Sequence, residues 1–175
     1  CYSVGMFDPT KQRGRGAWFD NGHTVVHVGN GLLIDGEPAN LNDKRLSAFY
    51  EAGHPLAMGK AEPMTDAQGL EFLKVCESLC WSNPDHGKLL AGWVALASVC
   101  GCLNWRPHIW VVGAKGTGKS TILERVIGAG LGPMPLRVAS STTEAGIRQL
   151  LRHDARPIIF DEAEGEDQRA QDRVQ

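Results

Sequence analysis

Eight residues, Gly113-Ala114-Lys115-Gly116-Thr117-Gly118-Lys119-Ser120, constrain this chain more than any other stretch of its sequence. They fit G-x-x-x-x-G-K-[ST] at every required position. Glycines let a backbone close around phosphate oxygens and turn several N–H groups inward as a nest. The loop works at a strand-to-helix junction, where the helix N-terminus adds the positive end of its dipole. Both flanks have the expected pattern: Ile109-Trp110-Val111-Val112 predicts a strand, and Ser120 to Ile127 a helix. Residues Gly113 to Thr121 are therefore the expected nucleotide-binding set. Lys119 would place a point charge on the β- and γ-phosphates of ATP, Ser120 would ligate Mg²⁺, and Thr121 would reach the α-phosphate. The plain alternative is a glycine-rich turn that binds nothing.

A second element, Pro157-Ile158-Ile159-Phe160-Asp161-Glu162, is an apolar run ending in two acids. An Asp at the carboxyl end of a buried strand stands where open α/β sheets bind ligands. Asp161 is the expected metal carboxylate. Glu162 is expected to orient or deprotonate the attacking water, which makes Lys119 and Glu162 the catalytic pair. Glu164 is a rival for the base. Two acids at the edge of a surface loop are the alternative.

Between the motifs, Leu136 to Val138 predicts a strand and Thr143 to His153 a helix, with Ser141 and Glu144 at capping-box spacing. Apolar strands alternating with helices predict a parallel sheet. The expected fold class is α/β, a partial P-loop NTPase sheet preceded by a small β-meander and a helical segment. The corresponding segments are 1–60 (β-rich), 61–104 (helical) and 105–175 (the P-loop core). In the first, Ala17 to Asp20, His23 to Val28 and Leu32 to Asp35 read as strands, with Asn21-Gly22 and Asn30-Gly31 as type I′ turns. In the second, Thr65-Asp66 caps a helix with apolar Leu70, Leu73, Cys76, Leu79 and Cys80. Asn83-Pro84 then breaks the chain before a helix that is apolar on nearly every side, and hence expected to be packed all round.

Composition adds little beyond this. A formal net charge of −2 gives no global basic field toward nucleic acid or anionic membrane. The apolar run Leu89 to Leu103 is shorter than the roughly 18–20 residues of a membrane span. Cys1, Cys76, Cys80, Cys100 and Cys102 form an odd set without zinc-knuckle spacing, which fits a reducing compartment. Lys11, Arg13 and Arg15 make a small basic loop, read as solvated charge with a nucleic-acid contact as the alternative. Arg148 and Arg152 are read as a solvated helix face, with contact to a neighbouring subunit as the alternative. A start at Cys1 and a stop at Gln175 within a polar run predict a piece of a longer protein.

From Arg13 onward the sequence resembles the primase-helicases of bacteriophages and related mobile elements. The matching residues are Gly14 to Gly22, His27-Val28-Gly29, Leu33 to Gly36, Arg106 to Ile109 leading into the glycine loop, Thr142 to Gln149, and Phe160 to Glu164. The resemblance implies a ring-forming ATPase, similar to superfamily 3 or AAA+ motors, that moves on single-stranded DNA in the cytoplasm of a bacterial host. Its partners would be single-stranded DNA and further copies of itself, with no membrane. No polar sensor or arginine finger follows Glu162 here. Such fingers are worth about 10³–10⁵ in rate, so binding of Mg·ATP with poor hydrolysis is expected. A small-molecule P-loop kinase and a non-catalytic nucleotide-binding module are the competing readings.

Overall fold

Asn21 and Gly22 both adopt left-handed backbone, φ 50° and 85°, and the hairpin they close organises the first sheet. Strand β1 (Gln12–Arg13) precedes β2 (Gly16–Asp20), β3 (His23–His27), β4 (Leu32–Ile34) and β5 (Glu37–Ala39). The computed structural model describes residues 8–58, 64–139 and 141–161. Strands β2 to β5 form a four-stranded antiparallel meander in chain order, and β6 (Phe49–Tyr50) pairs in parallel with β1. Val25, Leu32, Ile34 and Tyr50 make the meander's core, with Trp18, Leu41 and Leu46 packed on it.

The expected Asn30-Gly31 turn does not form. The left-handed residue there is Gly29, φ 107°, and a Cβ on it would lie 2.4 Å from the His54 carbonyl oxygen. Close approach of segment 53–55 therefore decides which residue turns. The second tight turn is at Asp35-Gly36, φ 51° and 89°, and it leads into β5.

Helix α1 (Asp66–Glu77) is capped as expected. Thr65 Oγ1 accepts from the Gln68 N–H at 3.3 Å while Gln68 Oε1 accepts from the Thr65 N–H at 2.9 Å. Such a cap contributes about 1 kcal/mol. Its inward residue is Cys76, with Phe72 and Leu79 packed beside it, whereas Leu70 and Cys80 are exposed. Helix α2 (Asp85–Ser98) is not packed all round, contrary to its composition. Leu90, Val94 and Ala97 are buried, while Leu89 and Leu96 are 65% and 43% exposed. One face meets α1, close enough that a Cβ on Gly87 would lie 2.6 Å from Glu77 Cα, and the opposite face has no partner among the described residues.

The third region contains a helical rod: α3 (Lys119–Thr121), a π-helical stretch Ile122–Ile127 and α4 (Gly128–Leu131). Val126, Ile127 and Leu131 join Cys76, Leu90, Val94, Ala97 and Ile159 in the larger core. Strand β7 (Leu136–Ala139) and β8 (Ile158–Asp161) pair in parallel, Leu136 opposite Ile158 and Ala139 opposite Asp161. Helix α5 (Glu144–Leu151) crosses between them. Its cap is Thr143, whose Oγ1 accepts from Gly146 N–H at 3.1 Å, rather than Ser141. It ends at Leu151, short of His153, because Arg152 turns to φ 49°.

Residues 109–112 do not form the expected strand. They keep the period-two burial of one, with Ile109 on the core and Trp110 and Val112 81% and 85% exposed. A strand also needs a neighbouring ladder, and none is supplied among the described residues. Among those residues, no helix is long and apolar enough to cross a membrane.

Candidate functional site

The glycine loop sits at the N-terminus of the helical rod. Gly116 and Gly118 take φ 78° and 90°, values that only glycine adopts without strain. The Ala114 carbonyl accepts from Thr117 N–H at 3.3 Å and from Thr117 Oγ1 at 2.8 Å, which closes a tight turn. The Gly118 carbonyl accepts the first helical bond, from Ile122 N–H at 3.0 Å. Lys119 arches back, its Nζ donating to the carbonyls of Gly113 at 2.8 Å and Ala114 at 3.0 Å. The ammonium thus spans the loop from its last residues to its first. Ser120 and Thr121 are exposed on the first helical turn.

No heavy atom lies within 4 Å of where a Cβ would stand on Gly116 or Gly118. The loop backbone is therefore open on that side. Asp161 ends β8 with its backbone opposite Ala139. Ile159 of that strand shares one core with Val126, Ile127 and Leu131 of the rod, and Ile109, Ile122 and Leu123 pack against the same core. The fold thus brings the loop helix and the Asp161 strand together. Glu162 and Glu164 lie outside the described residues. Among the described residues no group of three or more His, Cys, Asp and Glu could hold a metal ion.

The basic loop at the start of the chain has a structural role that spacing did not reveal. Asp154, beyond the end of α5, accepts from the Arg15 backbone N–H at 2.7 Å and from its guanidinium at 2.9 and 2.6 Å. Gly14 N–H donates to the His153 carbonyl and Ala155 N–H to that of Arg15, each at 2.8 Å. Arg13 stacks 4.8 Å above the Trp18 ring. Arg148 pairs with Glu144 at 2.7 Å on an exposed face, and Arg152 with Glu51 at 3.4 Å. A cavity of about 150 Å³ opens at this seam, lined in part by Arg15, Glu51, His54, Arg152 and Asp154.

Two buried polar groups also escaped the sequence reading. Burial raises the Asp20 carboxyl, but hydrogen bonds from Ser47, Ala48 and Tyr50 outweigh it and hold the group below its ordinary value. His27 is completely buried. Desolvation lowers its pKa, opposed by its bond to the Glu51 carbonyl. Its Nδ1 accepts from Gly29 N–H at 2.8 Å, so Nε2 carries the proton and donates to Glu51 at 2.9 Å.

No family model matches the chain, and no curated protein or solved structure matches it either.

Proposed function

We propose that this chain is the ATP-binding core of a P-loop motor, a replicative DNA helicase that works on single-stranded DNA as a ring of copies. The observation that carries the reading is the glycine loop. Its two left-handed glycines face open space, and Lys119 is held across it at the start of a helix. A phosphate chain fits such a cradle, since the open backbone presents N–H groups and the helix end favours negative charge. On this reading the Lys119 ammonium exchanges the Gly113 and Ala114 carbonyls for phosphate oxygens. Ser120 and Asp161 provide the hard oxygen donors that suit magnesium. Bound magnesium would neutralise charge developing on the transferred phosphoryl group. Glu162 would orient the attacking water. The pairing of acids at 161 and 162 favours water over a small-molecule acceptor.

Titration with fluorescent ATP, with and without Mg²⁺, tests the site. Magnesium-dependent binding is expected, weakened about 10- to 100-fold by Lys119→Ala, the worth of a charged hydrogen-bond donor. No binding by the folded, unmutated chain would overturn the reading. ATP turnover that rises with single-stranded DNA, however slow its basal rate, supports the motor. Turnover indifferent to DNA rejects it.

A further inference from the structure

Asp154 and Asp161 lie at the two ends of one stretch of chain, and the first of them is fastened to the opposite end of the sequence. The fastening is extensive. The Asp154 carboxylate takes three hydrogen bonds from Arg15, one backbone and two guanidinium, with Arg156 3.8 Å away. The Arg15 and Asp154 side chains are 22% and 10% exposed, so their pairing is largely shielded from water and salt. Arg156 in turn donates to the carbonyls of Pro133, Met134 and Pro135, the turn that leads into β7. The starts of both parallel strands are therefore gripped by one cluster of charges.

The backbone around this cluster leaves no freedom to slide. Gly16 bridges to Ala155 in parallel register, and a Cβ on Gly16 would stand 2.1 Å from the Ala155 carbonyl oxygen. A Cβ on Gly14 would stand 2.7 Å from the Asp154 backbone nitrogen, and one on Gly101 2.6 Å from the Ala155 side chain. Cys100 Sγ closes the other side by donating to the Ala155 carbonyl at 3.4 Å. From Ala155 the chain runs directly into β8 and on to Asp161.

We infer that Arg15 and Asp154 are positioning residues for the end of β8 at Asp161. The β-meander would brace β8 in the register that the metal-bearing end requires. This rests on the nucleotide reading above. It assigns the β-meander a part in metal-dependent nucleotide binding, a role distinct from contact with DNA.

The experiment measures fluorescent-ATP affinity of the chain in Mg²⁺ and in EDTA, for the unmutated protein, Arg15→Ala, Arg15→Lys and Asp154→Asn. Thermal unfolding confirms that each variant is folded. The expected result is that Arg15→Ala and Asp154→Asn reduce the ratio of the two affinities about tenfold, the low end for groups that orient a metal ligand. Affinity in EDTA should stay unchanged, and Arg15→Lys should recover part of the loss. A brace that only stabilises the fold would lower the melting temperature and leave that ratio intact, which overturns the inference. Asp154→Asn keeps shape and volume, so it serves if Arg15→Ala does not fold. If the unmutated chain binds no nucleotide in either condition, the functional reading falls first and this inference with it. If it binds without any magnesium dependence, the loop reading survives and the positioning role does not.

Discussion

Two sets of glycines in this chain adopt left-handed backbone under opposite circumstances. Gly16, at the seam between the β-meander and the parallel strands, has φ 129°, and Gly29, against segment 53–55, has φ 107°. Each lies against a carbonyl oxygen that a side chain would strike, at 2.1 and 2.4 Å from the Cβ position. In the loop before α3, Gly116 and Gly118 also have positive φ, 78° and 90°, and nothing lies within 4 Å of where a Cβ would stand. The first pair are glycines because the protein itself fills the space. The second pair leave space that the protein does not fill. A glycine required by packing is explained by the fold alone. Open space alone does not mark a ligand site, because the turn glycines Gly22 and Gly36 have it too; what sets the loop glycines apart is the Lys119 ammonium held across them.

Alanine at one member of each set tests this contrast. The largest effect is expected for Gly16→Ala, where backbone strain and overpacking combine to cost about 3 kcal/mol or more. Urea unfolding should show it as a large drop in midpoint; a shift comparable with an exposed site would remove the steric argument. Gly118→Ala should cost only about 1 kcal/mol, the strain of φ 90° without a clash. Its nucleotide affinity should nevertheless fall, since a methyl group now projects into the open side of the loop. Unchanged affinity would mean that the open space is not where phosphate binds.

Acid provides the mildest probe, and it acts on the packed side of the contrast. His27 has a lowered pKa in the fold, so below about pH 6.5 the unfolded chain binds more protons than the native one. Its contribution is therefore complete above that pH and is lost as pH falls toward the folded value. Around it stand the Asp154 carboxylate, the Arg15 guanidinium and the Tyr50 ring, 5.8 Å between centroids. The urea midpoint should fall between pH 7.5 and 5.5, and His27→Gln should flatten that slope. An unchanged slope in the variant would assign the acid sensitivity elsewhere.

Short-range chemistry was readable in the sequence, and long-range pairing was not. Asn21-Gly22 turned as its dihedral demands require, and Thr65 capped its helix with Gln68, because each depends on residues within four positions. The left-handed glycines and the helix start at Lys119 were implicit in the loop motif for the same reason. Ile109 to Val112 acquired the alternating burial of a strand, which is local, without a ladder, which is not. Asn30-Gly31 carried the same signal as Asn21-Gly22 but lost to Gly29, whose neighbour His54 is 25 residues away. Arg15 looked like solvated charge because Asp154, its partner, is 139 positions along the chain. His27 sits in a strand whose composition gives no sign that both ring nitrogens will be bonded.

That separation of 139 positions also sets a schedule. Chains leave the ribosome at about 5–20 residues per second, so Arg15 waits roughly 7–28 s before Asp154 has even been made. The meander, built from neighbours in sequence, can close within that interval on its own. The parallel strands cannot, because β7 must wait for β8, and Arg15 must wait for Asp154 just before it. The glycine-lined seam thus closes after the meander during synthesis. Until it does, Gly16 of β2 is exposed without its bridge to Ala155, and the nascent chain carries an unfilled groove where the finished protein is closely packed.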